Sequence, residues 1–268
     1  MSHAPVPARM IRRLHPLRLV EHHLNAIAFF TLVFTGVIQK FHQVELCRQA
    51  VAFLGGIDDT RLIHRTAGAT MAIVLVIHLA VALWGLTRRG WQPSMMPGLK
   101  DLTDIVQNLR FYLGLSREPA KVDRYDYKQK FEYWGVIAGG ILMTVTGLML
   151  WFPTLPFQLI PGFPGELIPA AKMAHTNEAM MAFLIIVLWH IYNAIFSPEV
   201  FPFDTTILHG KISARRLAHE HPLEYERIVA EEAAAEAKRK AAAVVQPEPA
   251  AAPEAGGDGT PPTPTLTA

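Results

Sequence analysis

The chain has 268 residues, 51% of them hydrophobic and 18% charged, with a formal charge of +2 and a mean hydropathy of +0.22. So few charges, below the usual quarter of a soluble domain, and such clustered apolar runs exclude an ordinary globular enzyme and favour a polytopic membrane protein. The single cysteine, Cys47, excludes an internal disulfide framework and a cysteine-ligated iron–sulfur cluster.

Residues 1–21 form a polar, basic N-terminus with Arg9, Arg12, Arg13 and Arg18. The first apolar run continues as a span instead of stopping at a small-residue cleavage site, so no cleavable signal peptide is expected. That span is predicted from about His22 to Ile38 (HHLNAIAFFTLVFTGVI), which is short for a crossing. The stretch HQVELCRQAVAFL reads as an interfacial amphipathic helix ended by Gly55 and Gly56. A second span covers His64–Leu86, and the polar loop 87–130 after it holds another amphipathic stretch, LKDLTDIVQNLRFYLG. In the third span, Phe131–Trp151, Gly135, Gly139, Gly140 and Gly147 leave room for a helix or a flat macrocycle to approach closely. A Pro/Gly-rich link leads to the fourth span, about Lys172–Phe196. The expected fold class is all-α. An integral membrane four-helix bundle covers 22–197, a helical tail 198–245 and a disordered Pro/Ala-rich end 246–268.

Lys/Arg bias sets the expected orientation. The N-terminus carries 4 basic residues and the 87–130 loop 9, against 3 and 1 in the 39–63 and 152–174 loops. Both termini and the middle loop are therefore expected in the cytoplasm of a bacterial inner membrane. His64 and His175 then lie near the outer face, and His22, His78 and His190 toward the inner one.

The histidines carry the chemistry. His64 and His78 stand 14 residues apart on the second span, and His175 and His190 stand 15 apart on the fourth. On an α-helix such spacings turn through about four revolutions and rise about 21 Å, so each pair shares one face with one imidazole near each membrane edge. Ionisable groups at that depth are costly and mark function. A lone histidine on an apolar helix is ordinarily a hydrogen-bonded core residue. Four at matched depths on two helices point to bis-imidazole ligation of two b-type haems. Zinc is disfavoured because its sites gather clustered, tetrahedral ligands. The outer haem falls to His64 and His175. For the inner one, His190 has two candidate partners, His78 or His22 at the inner end of the first span, and spacing alone favours His78. His23 is expected to point away, and His42, His209, His219 and His221 lie in polar segments and read as solvated.

The motifs HHLNAIAFFTLVFTG, LIHRTAG, RYDYKQKFEYWG, TVTGLMLW, HIYNAIF and HGKISARRLAHEHP together resemble the cytochrome b (gamma) subunits of respiratory formate dehydrogenase, with relatives in nickel–iron hydrogenase and thiosulfate reductase complexes. The likeness covers about residues 18–228. It implies that the inner haem is held by the positions matching His22 and His190, and the outer by those matching His64 and His175. His78 departs from the formate dehydrogenase pattern but resembles b cytochromes that work with multihaem proteins. The 15-residue spacing also departs from the family's usual one, and a slightly rotated inner haem would absorb it. The stretch from Tyr125 to Lys130 resembles the family's quinone-lining segment, which implies roles for Asp126 (in place of the family's Asn), Gln129 and Lys130 toward menaquinone or ubiquinone. Arg65, beside His64, is suited to an outer haem propionate or to anchoring at the interface.

The expectation is an electron-transfer subunit, with no primary-substrate chemistry of its own. It passes electrons between an outer-face partner and the quinone pool near the cytoplasmic face. Iron–sulfur or catalytic subunits, or a multihaem cytochrome c, are the partners the resemblance implies. Lipid is a further partner, and no nucleic acid is expected. Two alternatives are a haem-poor anchor for a peripheral complex and a proton-relaying transporter. The transporter would need acidic residues within the spans, where Glu178 is the sole carboxylate expected.

Overall fold

The computed structural model describes residues 6–198 and 200–245; the expected Pro/Ala-rich end, 246–268, lies outside them. Four helices are long and apolar enough to cross a membrane. They are α1 (Pro16–Lys40), α3 (Ile57–Arg88), α5 (Tyr127–Trp151) and the helix that begins as α7 (Leu167–Ile185) and continues to Phe196. Each starts earlier than its apolar run. In α1 the His15 side chain caps the N-terminus and Pro16 occupies the first turn, where its missing N–H costs nothing. In α5, Asp126 and Gln129 form a reciprocal capping box. At 25 residues, α1 is about 38 Å long, enough to cross a hydrocarbon layer of about 30 Å. The first span is therefore not short.

The second departure is in the fourth span. After Ile185 the helix widens into two π turns, Ile186–His190 and Tyr192–Phe196. The N–H of Ile191 donates to Ile186 O, and that of Ser197 to Tyr192 O. Fifteen α-helical residues would carry His190 about 60° past His175; a widened turn takes up one residue and returns the ring to the shared face. The extra residue is absorbed in the backbone, where the sequence alone pointed to a rotated haem.

Helix α1 packs on α3, α5 on α7, and α3 on α5. Large apolar side chains such as Ile27, Phe30, Phe34, Ile73, Val76, Leu184 and Leu188 are exposed, which requires a hydrocarbon surrounding. Two shorter helices match the amphipathic stretches, α2 (Glu45–Phe53) and α4 (Leu99–Tyr112). The link between α5 and α7 holds a short helix, α6 (Leu155–Leu159).

The tail is not simply helical. After the short α8 (Thr206–His209) it forms β2 (Lys211–Ser213), paired antiparallel with β1 (Met10–Arg12) in the register Ile11 to Ile212. This ribbon, α9 (Ala214–Glu220) and the start of α10 (Pro222–Val245) make a buried polar cap. Arg13 and Arg124 each donate to the other's backbone carbonyl, and both pair with Glu224. Arg216 forks onto Asp204 at 2.8 and 3.0 Å. His221, expected in solvent, is buried, with Nδ1 2.7 Å from Asp123 O. Burial and the nearby Arg13 push its pKa down to about 4. The N-terminal segment, the middle loop and the segment around Glu224 thus share one end of the bundle. The part of α10 after Tyr225 belongs to a separate compact unit.

Candidate metal centres

Two imidazole pairs stand between facing helices, the proximal one partly exposed at His22. Distal to the polar cap, His64 of α3 faces His175 of α7 with ring centres 6.4 Å apart. Proximal to it, His22 of α1 faces His190 at 6.1 Å. Two imidazoles bound to opposite sides of one iron, with bonds of about 2.0 Å and about 1.1 Å from nitrogen to ring centre, place their centres about 6.2 Å apart. Both pairs fit that geometry. Among the described residues no three metal-ligating side chains converge, so the histidines stand as pairs, the arrangement suited to a macrocycle that brings its own equatorial nitrogens. His22 and Thr35, the support of His64, are 13 residues apart on α1, which sets the two pairs about 20 Å apart along the bundle.

The distal rings are held by matching devices. Thr35 Oγ1 donates to Thr31 O at 2.6 Å and so accepts from His64 Nδ1 at 2.8 Å. Thr146 Oγ1 donates to Leu142 O and accepts from His175 Nδ1 at 2.9 Å. Each hydroxyl fixes the Nδ1–H tautomer and leaves Nε2 free as a ligand. The next residue in each helix is glycine. A methyl at Gly36 would come 3.5 Å from His64 Cε1, and one at Gly147 3.3 Å from His175 Cε1. Threonine and histidine are separated by 29 residues in both cases, so the α1–α3 hairpin and the α5–α7 hairpin repeat one pattern.

The repeat continues at the proximal end, where the two hairpins diverge. Glu132 Oε1 lies 2.7 Å from His190 Nδ1, at a separation of 58 residues. Glu21 Oε2 lies 3.1 Å from His78 Nδ1, at a separation of 57. The residue after Glu21 is His22, which faces His190; the residue after Glu132 is Tyr133, whose hydroxyl lies 3.0 Å from His78 Nε2. Arg18 reaches His78 Nδ1 at 2.7 Å. Both nitrogens of His78 are therefore engaged within the protein, and the structure brings His22, not His78, against His190. His23 turns its Nδ1 to Leu19 O, while His42, His209 and His219 are exposed.

The remaining residues singled out from the sequence have structural partners. Asp126 and Gln129 cap α5. Lys130 pairs with Asp101 of α4 at 2.8 and 2.9 Å. Burial raises the Asp101 pKa, but the hydrogen bonds and charge of Lys130 outweigh it and hold the carboxyl below its ordinary value. Beside this pair lies a cavity of about 160 Å³ lined by Lys100, Asp123, Arg124 and Tyr125, smaller and more ionic than a typical organic-ligand pocket. The Arg65 guanidinium lies over the Trp151 ring, 5.4 Å from its centroid. Glu178 is not the only carboxylate within the spans. Glu132 falls within the expected third span, and the early start of α1 brings Glu21 into a helix as well; their side chains are 20% and 18% exposed. These two residues, Thr35, Thr146 and Tyr133 escaped the reading of the sequence. The equal Thr-to-His separations were the signal for the threonines.

A family model described as prokaryotic cytochrome b561 matches residues 14–202. The chain is 22% identical over 209 residues to the cytochrome b556(fdo) subunit of formate dehydrogenase from Escherichia coli K12, covering 78% of this chain and 89% of that one. It is also 22% identical over 231 residues to the cytochrome b556(Fdn) subunit of the nitrate-inducible formate dehydrogenase of the same strain, covering 86% and 97%. The chain belongs to the prokaryotic cytochrome b561 family and is an integral membrane electron-transfer cytochrome of the b type.

Proposed function

We propose that the chain is a di-haem subunit that passes electrons across the membrane between an outer-face partner and a quinone near the cytoplasmic face. The observation that carries this reading is the spacing of the two imidazole pairs, 6.1 and 6.4 Å between ring centres. His64 and His175 would hold the distal, outer haem, and His22 and His190 the proximal, inner one. A bound haem supplies one-electron ferric–ferrous cycling. The polypeptide orients His64, His175 and His190 through Thr35, Thr146 and Glu132. About 20 Å between pairs leaves a shorter edge-to-edge gap that electrons can tunnel.

Orientation follows the Lys/Arg bias, with the polar cap in the cytoplasm of a bacterial inner membrane. The quinone, menaquinone or ubiquinone, docks beside the proximal pair. There Asp126, Gln129 and Lys130 shape the rim by fixing the start of α5, their side chains being engaged with one another and with Asp101. Helices α2 and α4 lie in the interface, exposing Leu46 and Phe53 and the stripe Leu99, Leu102, Val106 and Leu109 to lipid. By analogy with subunits of formate dehydrogenase, the outer partner is an iron–sulfur or catalytic subunit. His78 invites a multihaem cytochrome c instead.

The test is a redox-titrated optical spectrum of the purified chain, comparing His22→Ala with His78→Ala. Loss of one low-spin haem from His22→Ala alone is the expected result. Loss from His78→Ala alone would reverse the proximal assignment, and a colourless wild-type protein expressed with ample haem would end the di-haem reading.

A further inference from the structure

We propose that the carboxylate of Glu132, 2.7 Å from Nδ1 of His190, is a positioning group that lowers the midpoint potential of the proximal haem relative to the distal one. The inference rests on His22 and His190 being an axial pair. The distal imidazoles donate to the neutral hydroxyls of Thr35 and Thr146. His190 instead donates to a carboxylate. A hydrogen bond to an anion draws the Nδ1 proton away and gives the imidazole partial imidazolate character. A more basic axial ligand stabilises ferric iron over ferrous.

What makes the charge effective is its isolation. Glu132 is 20% exposed, and among the described residues its only ion-pair partner is His190. The equivalent carboxylate of the other hairpin, Glu21, is 2.6 Å from the guanidinium of Arg18, which cancels most of its field. Each hairpin thus places a glutamate against the last histidine of its second helix. Only the second leaves that glutamate without a cation and sets the histidine opposite another imidazole. Within an apolar bundle such a charge is poorly screened. Removing it shifts electron occupancy toward the proximal centre.

The experiment uses the full-length chain in detergent, titrated by visible α-band absorbance and low-spin electron paramagnetic resonance, as wild type, Glu132→Gln and Glu132→Asp. Glu132→Gln is expected to keep both haems and to raise one midpoint by about a tenfold change in the reduced-to-oxidised ratio, or about 59 mV for one electron. The other midpoint stays within error. Glu132→Asp keeps the charge at a longer reach and is expected to fall between wild type and Glu132→Gln. Two retained haems with unchanged midpoints, or an equal shift in both, overturn the proposal. If Glu132→Gln loses its haem, Glu132→Asp decides: a smaller rise in one midpoint supports the proposal and an unchanged pair overturns it. A wild type holding fewer than two haems would instead defeat the two-centre reading on which it rests.

Discussion

The distal and proximal ends of the bundle use one hairpin pattern in two ways. At the distal end the halves match: threonine, glycine and a histidine 29 residues beyond the threonine, twice over. The result is a neutral, tightly fitted site in which every support is a hydroxyl or the absence of a side chain. At the proximal end the halves share only the Glu–His contact. One hairpin then offers an imidazole and the other a phenol, so His190 meets His22 while His78 meets Tyr133. The polar cap, with Arg13, Arg124, Asp204 and Arg216, lies on the side of the proximal site, while at the distal one Arg65 follows His64 and turns its guanidinium over the Trp151 ring. A repeated scaffold can therefore keep one centre symmetric while a single exchange beside the other decides which histidine faces an imidazole.

The largest effect should come from crowding the symmetric site. A methyl at Gly147 already comes 3.3 Å from His175 Cε1, so the branched side chain of Gly147→Val must displace the ring. Overpacking of this kind costs about 1–3 kcal/mol, and here it acts on a proposed haem ligand. The expected outcome is loss of about half the haem in a pyridine haemochrome assay, with the proximal low-spin signal intact. Gly36→Ala, facing His64 at 3.5 Å, is expected to keep both. Loss of the proximal signal from Gly147→Val would break the separation of the two ends.

Acid separates the ends from the other side. The unfolded imidazole of His221 takes up a proton near 6.5, the folded one only near 4. Between those values the unfolded state binds more protons, so stability is full above 6.5 and is lost as pH falls toward 4. The loss amounts to about 3 kcal/mol. Asp101 and Asp204 are both held below the ordinary carboxylate value, so their contributions fade in the same direction at still lower pH. Amide hydrogen exchange at pH 7 and 4.5 should show β1 and β2 losing protection while the distal turns of α3 and α7 keep theirs. Equal losses at both ends would mean that the cap is not the acid-sensitive element.

How much of this could be read from the chain follows the same divide. The four apolar runs and the stacked histidines announce a membrane bundle because hydrophobic length and helical period act locally. The helix starts were missed because Pro16 and the Asp126–Gln129 capping box extend helices into polar sequence; that concealed Glu21, whereas Glu132 lay inside the expected third span and was passed over. The 15-residue spacing pointed to a rotated haem because nothing in IVLWH announces a π turn. Three-residue strands are too short to show alternation, so the ribbon was invisible, and His221, which meets Asp123 O across the cap, read as solvated. Whether His22 or His78 faces His190 depends on how α1 and α3 rotate against the second hairpin, which periodicity within one helix cannot supply.

The smallest expected effect probes the supports themselves. Thr146 is 5% exposed, and replacing it with valine keeps the shape but removes the acceptor for His175 Nδ1–H. A neutral hydrogen bond of this kind is worth about 1 kcal/mol, and leaving its donor unpaired costs about 1–3 kcal/mol. That is too little to expel a haem that His64 and His175 would both hold. Thr146→Val should therefore retain both haems while broadening the low-spin resonance of the distal one, because the ring can now rotate about its iron–nitrogen bond. Thr35→Val should do the same to the same signal, since Thr35 supports the opposite ligand of one iron. If the two variants broadened different haem signals, His64 and His175 would not share a centre, and the symmetry assigned to the distal end would fail.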